Sequence, residues 1–407
     1  MSISGSQTAD ANFVDRAHAV LMQNYGRFPV QMVRGHGSEL FDSTGRAYID
    51  LFAGFGGTVI GHAHPELVRA ITEQAQQMWA VGNQFHSLPQ VELAERLAKT
   101  AFAGRAFFCH SGLEANEAAV KLARLRGLAE GGQRWKTVSL IKSFHGRSLA
   151  MIAATGNPAI REGFGPPVPG FSNVDPLDLH AIEHAIDHET ACLIMEPIQG
   201  EGGINLYPPG HVGKIRKLCD AHGVSLIFDE VWTGVGRTGR WFGHQHFVDE
   251  QGNIITPDIM TLGKALGGGL PVGAMWARPE LAKLLVAGKH GCTLGGNPIC
   301  MAVSRTLFDV IERDGLVARA ERLGEMAMSF LRDSASLKSK VKDVRGRGLF
   351  IGVEFDDEPT GLLERCLDAG VIANITYKKI VRIAPAMTIS ESELLAGLER
   401  FAQAAAT

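Results

Sequence analysis

Short runs of uninterrupted apolar residues alternate with helix-period stretches through the middle of the chain. The runs are "AFFCHS" (106–111), "KTVSLIKS" (136–143), "ACLIMEP" (191–197), "VSLIFDE" (224–230) and "AMWAR" (274–278). Each has the length of a strand, and most lack the polar alternation of a sheet with one wet face, so they read as strands covered on both sides. Residues 212–222, between two of the runs, read as a crossover helix. The pattern predicts an α/β fold built on a mostly parallel central sheet.

After "GGNP" (295–298) the pattern changes. A long helical region over roughly 301–337 leads to "KVKDVRGRGLFIGVEF" (340–355) and "GVIANITYKKIVRIAP" (370–385), and a last helix starts near Ser390. This predicts a smaller α+β domain over 301–407, after a large domain over 61–300. In the first 60 residues, expected to pack with the small domain, "GSELFDSTGRAYIDLF" (37–52) reads as a hairpin turning at Ser43-Thr44-Gly45.

Composition narrows the function classes. With 407 residues, 45% of them hydrophobic, the chain can bury a large core. A formal charge of −3 with no like-charge run gives no footprint for nucleic acid or an anionic membrane. Neither a basic-then-apolar leader nor a membrane-length apolar stretch is present, so the expected location is the cytoplasm. Six cysteines without a C-x-x-C pair indicate reduced thiols, neither a disulfide framework nor a zinc ribbon. "HAH" (62–64) and "HQH" (244–246) lack a third ligand at a familiar spacing, so no metal site is expected. "GFGGTVIG" (54–61) is a turn-rich loop without the strand, helix and distal acid of a dinucleotide fingerprint.

Candidate chemistry starts at "TPDIMTLGKALGGGLPVGAM" (256–275). A lysine in an apolar, glycine-lined pocket has a depressed pKa, because burial disfavours its cation, and is a usable amine nucleophile or proton carrier. On this segment alone, Lys264 reads more simply as solvated. Asp229 ends a buried strand at the edge where open α/β sheets bind ligands, and an acid there must find a cation. A protonated pyridine nitrogen would serve, as would a structural bridge to Arg237. In "FFCHSGLEANEAAVKLARLRG" (107–127) a strand enters Ser111-Gly112 and a helix follows, whose free N–H groups suit a phosphate. Ser111 with Glu114 is also a capping box that would start any helix. Phe144 could lie on a flat ring and Arg147 could fork onto a carboxylate, while Thr293 offers a hydroxyl in "HGCTLGGNP" (290–298). Each of these has an ordinary structural reading when taken singly.

Taken in order, "SGLEANEAAVKLAR", "SFHGRSL", "MEPIQGEGG", "FDEVWTGVGRTG", "TPDIMTLGKALGGGLPVGA", "HGCTLGGNP" and "VRGRGLFIG" closely resemble the class III pyridoxal-phosphate aminotransferases. Within that family the chain is most similar to acetylornithine aminotransferases. The resemblance implies a fold-type I homodimer with active sites at the interface, pyridoxal 5′-phosphate as cofactor, and transfer of an ω-amino group to 2-oxoglutarate. By motif it implies Lys264 as the Schiff-base lysine and Asp229 as the partner of the pyridinium nitrogen. It also implies that Ser111, Gly112 and Leu113 hold the phosphate, that Phe144 stacks on the ring, and that Thr293 reaches the neighbouring subunit's phosphate. Glu230, Val231 and Trp232 complete the expected cofactor-contacting turn, the Glu230 side chain pointing away from that of Asp229 because strand side chains alternate. Arg147 would take a substrate carboxylate, and Glu201 would pair with a movable Arg382.

Three positions depart from the family pattern and bear on the substrate. Trp232 stands where glutamine is common, Cys292 where serine or threonine is usual, and Phe55 at a pocket position often isoleucine or tyrosine. Rival readings are an aminotransferase for ornithine, 4-aminobutyrate, succinylornithine or a diamine, a non-catalytic protein that kept the fold, and a racemase or aminomutase.

Overall fold

A computed structural model of the chain describes residues 13–129 and 131–406. Seven strands form the central sheet, in spatial order Arg105–Cys109, Gly273–Ala277, Ile259–Leu262, Ser225–Asp229, Thr190–Met195, Lys136–Leu140 and Phe171–Val174. Gly273–Ala277 runs opposite to the other six strands. The continuous apolar runs have their cause in the layers on either side. Along Thr190–Met195, Cys192 and Ile194 pack with Ala118 and Leu122 of the helix Gly112–Ala129. Leu193 and Met195 pack on the other face, with Ile215 and Cys219 of the helix His211–His222. Truncating a side chain such as Ile194, fully buried here, to alanine would cost about 2–5 kcal/mol.

The same period of two aims the catalytic edge. Leu226 and Phe228 face the His211–His222 side while Ile227 faces the Gly112–Ala129 side, so Asp229 follows Ile227 toward that helix. The strands Phe171–Val174 and Ile259–Leu262 were not evident as apolar runs. The first is the half-exposed edge "FSNV", and the second is four residues long inside a glycine-rich stretch.

The predicted hairpin is present as Glu39–Asp42 paired antiparallel with Ala47–Asp50. Asp42 closes its turn, taking the backbone N–H groups of Thr44 and Arg46 on Oδ1. Ala47–Asp50 also pairs in parallel with Val371–Ile372, which joins the first strands to the last part of the chain. An antiparallel sheet of Val341–Arg347, Phe350–Phe355, Ile380–Ile383 and Asn374–Thr376 follows. The single helical region expected over 301–337 is two helices, Pro298–Arg313 and Leu316–Asp333. They break at Gly315, whose φ of 61° lies in the left-handed region that glycine enters without a steric penalty. The last helix is Glu391–Ala406.

Candidate active site

Lys264 follows Ile259–Leu262 in a tight turn with φ of 41°, a left-handed conformation. Its side chain enters a cavity of about 560 Å³ whose wall includes Asp229, Phe144 and Gly112. Burial is the largest influence on its ammonium, and Arg382 adds to it, while Glu201, Asp229 and Glu196 oppose; the pKa falls from 10.5 to about 8. Nζ sits 4.2 Å from the centre of the Trp232 ring, so part of the remaining positive charge rests on an aromatic face.

Asp229 lies across from this amine at the strand end. Its Oδ2 accepts from Asn116 Nδ2 at 2.7 Å and from His145 Nδ1 at 2.8 Å. Among the described residues Oδ1 accepts only the Val231 N–H, at 3.1 Å, which leaves a lone pair for a cationic ring nitrogen. Asn116 is fixed in turn, giving its other amide hydrogen to the His145 carbonyl and taking the Thr261 hydroxyl on Oδ1. The bridge to Arg237 is not made: that guanidinium is buried against the carbonyls of Leu349 and Pro385.

Asn116, His145 and Glu196 went unread in the sequence, and all three line the cavity. Glu196 directly follows Thr190–Met195, beside the end of the neighbouring strand where Asp229 stands, and that parallel was the available signal. Burial, then the nearby Asp229, push the Glu196 carboxyl well above the usual carboxylate range. Its oxygens accept from the Phe144 and Gly200 N–H groups. Asn116 is a buried amide on an otherwise apolar helix face, and His145 lies within the quoted "FHGR".

Ser111, Gly112 and Leu113 line one end of the cavity at the start of Gly112–Ala129. Ser111 Oγ receives the Glu114 N–H, while Glu114 reaches back to the His110 N–H at 2.8 Å, a capping box displaced by one residue. A Cβ on Gly112 would fall 2.4 Å from Val231 Cγ2, so this position must be glycine for the turn after Asp229 to close on the helix. Arg147 is exposed at the rim, its guanidinium 5.6 Å from the Phe144 ring centre, and has no acidic partner among the described residues.

Other expected residues fall elsewhere. Glu230 turns away from the cavity, its carboxylate taken by the Gly243 and His244 N–H groups, His244 Nδ1 and the Thr233 hydroxyl; its expected place among the cofactor contacts is corrected by alternation along the strand. Cys292 and Thr293 line a second, separate cavity with Phe107, Phe108 and Trp276. Phe55 is 55% exposed and packs edge-on against Phe52 at 4.6 Å, while its neighbours Gly54, Gly57 and Thr58 line the Lys264 cavity.

Glu201 and Arg382 meet at 2.8 Å beside the cavity. Burial opposes the charge on Glu201, but Arg382 and then Lys264 outweigh it and hold the carboxyl below its usual range. Trp232 lies against the pair, its ring stacked on Phe350 at 5.1 Å. Two glycines admit the indole: a Cβ on Gly56 would stand 2.5 Å from it and one on Gly200 2.6 Å.

A lysine of lowered pKa, an acid at a strand end and a helix N-terminus thus share one cavity, and the comparisons with known proteins agree in kind. Residues 20–405 match the family model for aminotransferase class III. The chain belongs to the class-III aminotransferases. It is 39% identical to an acetylornithine aminotransferase of Pseudomonas putida, over 100% of this chain and 99% of that one. It is 40% identical to a succinylornithine transaminase/acetylornithine aminotransferase of Pseudomonas aeruginosa, again over 100% and 99%. Among solved structures it is similar to the ornithine aminotransferase of Toxoplasma gondii, which shows partial occupancy of PLP at its active site. There the TM-score is 0.91 at 31% identity, covering 97% of this chain and 93% of that one. Membership makes this class-III aminotransferase a pyridoxal-phosphate-dependent transaminase of fold type I, acting on a small-molecule amino donor and a keto acid. Among the described residues, no helix is long and apolar enough to cross a membrane.

Proposed function

We propose that the chain moves the ω-amino group of N2-acetylornithine to 2-oxoglutarate, as a cytoplasmic homodimer, with pyridoxal 5′-phosphate bound in the Lys264 cavity. The observation that carries the reading is the pairing of Lys264, at about pKa 8, with an Asp229 whose Oδ1 still has a lone pair to give. When bound, the cofactor supplies an aldehyde that takes up amines and a cationic ring that draws electrons from the adjoining carbon.

The chain's own groups then have separable tasks. Asp229 would hold a proton on the ring nitrogen, and Asn116 and His145 keep its carboxylate oriented. The Ser111–Leu113 turn and the helix dipole would receive the phosphate. Lys264 Nζ, neutral in an appreciable fraction near neutral pH, carries a proton to and from the substrate carbon. Arg147 takes a substrate carboxylate at the rim in a bidentate grip. With Glu201 closed on Arg382 the cavity presents little positive charge to an incoming ω-amine; opened, Arg382 receives the second carboxylate of the amino dicarboxylate. Thr293 lies outside this cavity and would serve a second copy of the chain.

A panel of amine donors with 2-oxoglutarate, read as glutamate formed, tests the assignment. N-acetylornithine should give the highest initial rate. A higher rate with ornithine, 4-aminobutyrate or a diamine would replace the donor, and no glutamate from any donor would remove the reading. Succinylornithine is the second donor to expect, in line with the double name of the Pseudomonas aeruginosa relative.

A further inference from the structure

The buried Glu196 carboxyl spans two loops at the end of the central sheet. Its Oε2 accepts the Phe144 N–H at 3.1 Å and its Oε1 the Gly200 N–H at 3.0 Å. The Phe144 loop leaves the adjacent parallel strand Lys136–Leu140, whereas Gly200 lies in the turn that Glu196 itself begins. Pro197, next in the chain, has no N–H and a fixed φ, so this turn starts stiff. The two loops also touch directly: Gln199 Nε2 donates to the Ile141 carbonyl at 2.8 Å, and a Cβ on Gly202 would fall 2.2 Å from the Lys142 carbonyl oxygen.

We propose that Glu196 is a positioning residue that ties the Phe144 face of the Lys264 cavity to the Glu201–Arg382 pair. The inference rests on the reading of that cavity and that pair given above. On one side, Phe144 lines the cavity and is followed by His145, whose Nδ1 meets Asp229 Oδ2. The placing of the Phe144 backbone therefore bears on the aromatic face and on the acid together. On the other side, Gly200 lies against Trp232, where a Cβ would stand 2.6 Å from the indole, and the indole N–H holds Glu201 Oε1. One side chain thereby sets the spacing between the face that would carry the cofactor ring and the pair that would sort the substrates.

A carboxyl of this length suits the task. Burial and the nearby Asp229 push Glu196 toward its neutral form, so holding backbone fits it better than balancing a charge. A carboxyl accepts on both oxygens with or without its proton. Glutamine accepts on one atom and would set its NH2 group against the other backbone N–H. Aspartate keeps both acceptors but is one methylene short of serving both loops.

Glu196→Gln and Glu196→Asp test the inference in the full-length protein, with and without cofactor. Hydrogen–deuterium exchange of peptides spanning 142–147 and 199–205 should rise together, by roughly twofold to tenfold, the range expected for loss of one hydrogen bond. The strand Thr190–Met195 should keep its protection, which shows the sheet intact. The visible circular dichroism of the bound cofactor, which reads the asymmetry around its ring, should change in both variants. Single-turnover absorbance should show Glu196→Gln shifting the ratio of the two half-reaction rates, and shifting it no further when Glu201→Ala is already present. Faster exchange in one loop alone or in neither, parent-like exchange in Glu196→Asp, unchanged circular dichroism of the cofactor, or the same shift in ratio with and without Glu201 would each overturn the inference. The exchange measurement needs neither cofactor nor substrate, so its failure is distinct from failure of the aminotransferase assignment, which the donor panel decides.

Discussion

Trp232 donates its indole N–H to Glu201 Oε1 at 3.1 Å, and that oxygen is the one Arg382 holds at 2.8 Å. The Arg382 guanidinium also lies 4.2 Å from the centre of the Trp232 ring. The tryptophan therefore supports both members of the pair in the closed arrangement, by hydrogen bond on one side and by its π face on the other. Trp232→Phe keeps a ring against Phe350 and removes the N–H. Opening of the pair should become easier by about 1 kcal/mol, roughly a fivefold effect. The expected outcome is a several-fold lower KM for 2-oxoglutarate; a raised KM would contradict a supporting role. Trp232→Gln should also move the absorbance maximum of the bound cofactor if the indole touches the ring.

Glu201→Ala should impair the two half-reactions unequally. Arg382 is fully buried, and without Glu201 its charge faces the ω-amine half-reaction uncompensated, while the half-reaction with the amino dicarboxylate still has its guanidinium. Single-turnover absorbance in each direction measures the two rates. Equal losses would sink the idea of a movable pair.

Lys264→Met should abolish transamination, with a loss above about a thousandfold, because among the described residues no other lysine lines the cavity to carry the proton. The same change has an opposite effect on the cofactor-free fold. The folded pKa of about 8 lies below the unfolded 10.5, so between those values the unfolded chain binds more protons and stability rises with pH. Cofactor-free Lys264→Met should melt above the cofactor-free parent at pH 7, and the gap should narrow as pH approaches 10. A gap that does not change with pH would remove burial of the ammonium as its cause.

Gly112→Ala should weaken cofactor binding by at least tenfold, because its Cβ would meet Val231 Cγ2 at 2.4 Å and displace the phosphate turn. Val231→Ala combined with it should restore much of the affinity. Titration of the cofactor-free proteins with pyridoxal phosphate measures both, and a double variant no better than the single one would place the fault elsewhere.

The sequence was most legible where one local rule decides. Continuous apolar runs marked five of the seven central strands, and alternation sent Asp229 and Glu230 to opposite faces. It was least legible where meaning comes from a partner far along the chain. Nothing near Asn116 or His145 tells that both meet one carboxylate oxygen, because Asp229 reaches them only through the sheet. The room for Trp232 was similarly hidden, since Gly56 and Gly200 come from separate segments to flank one indole.

The parallel pairing of Ala47–Asp50 with Val371–Ile372 bears on how the chain is made. The first of these strands is made about 320 residues before its partner, which at about 5–20 residues per second is an interval of roughly tens of seconds. Throughout it, Ile49 and Leu51 lack the late-made side chains that bury them, among them Val371 and Leu398. The nascent chain thus carries an open sheet edge beside an uncovered apolar patch, the kind of surface that chaperones hold.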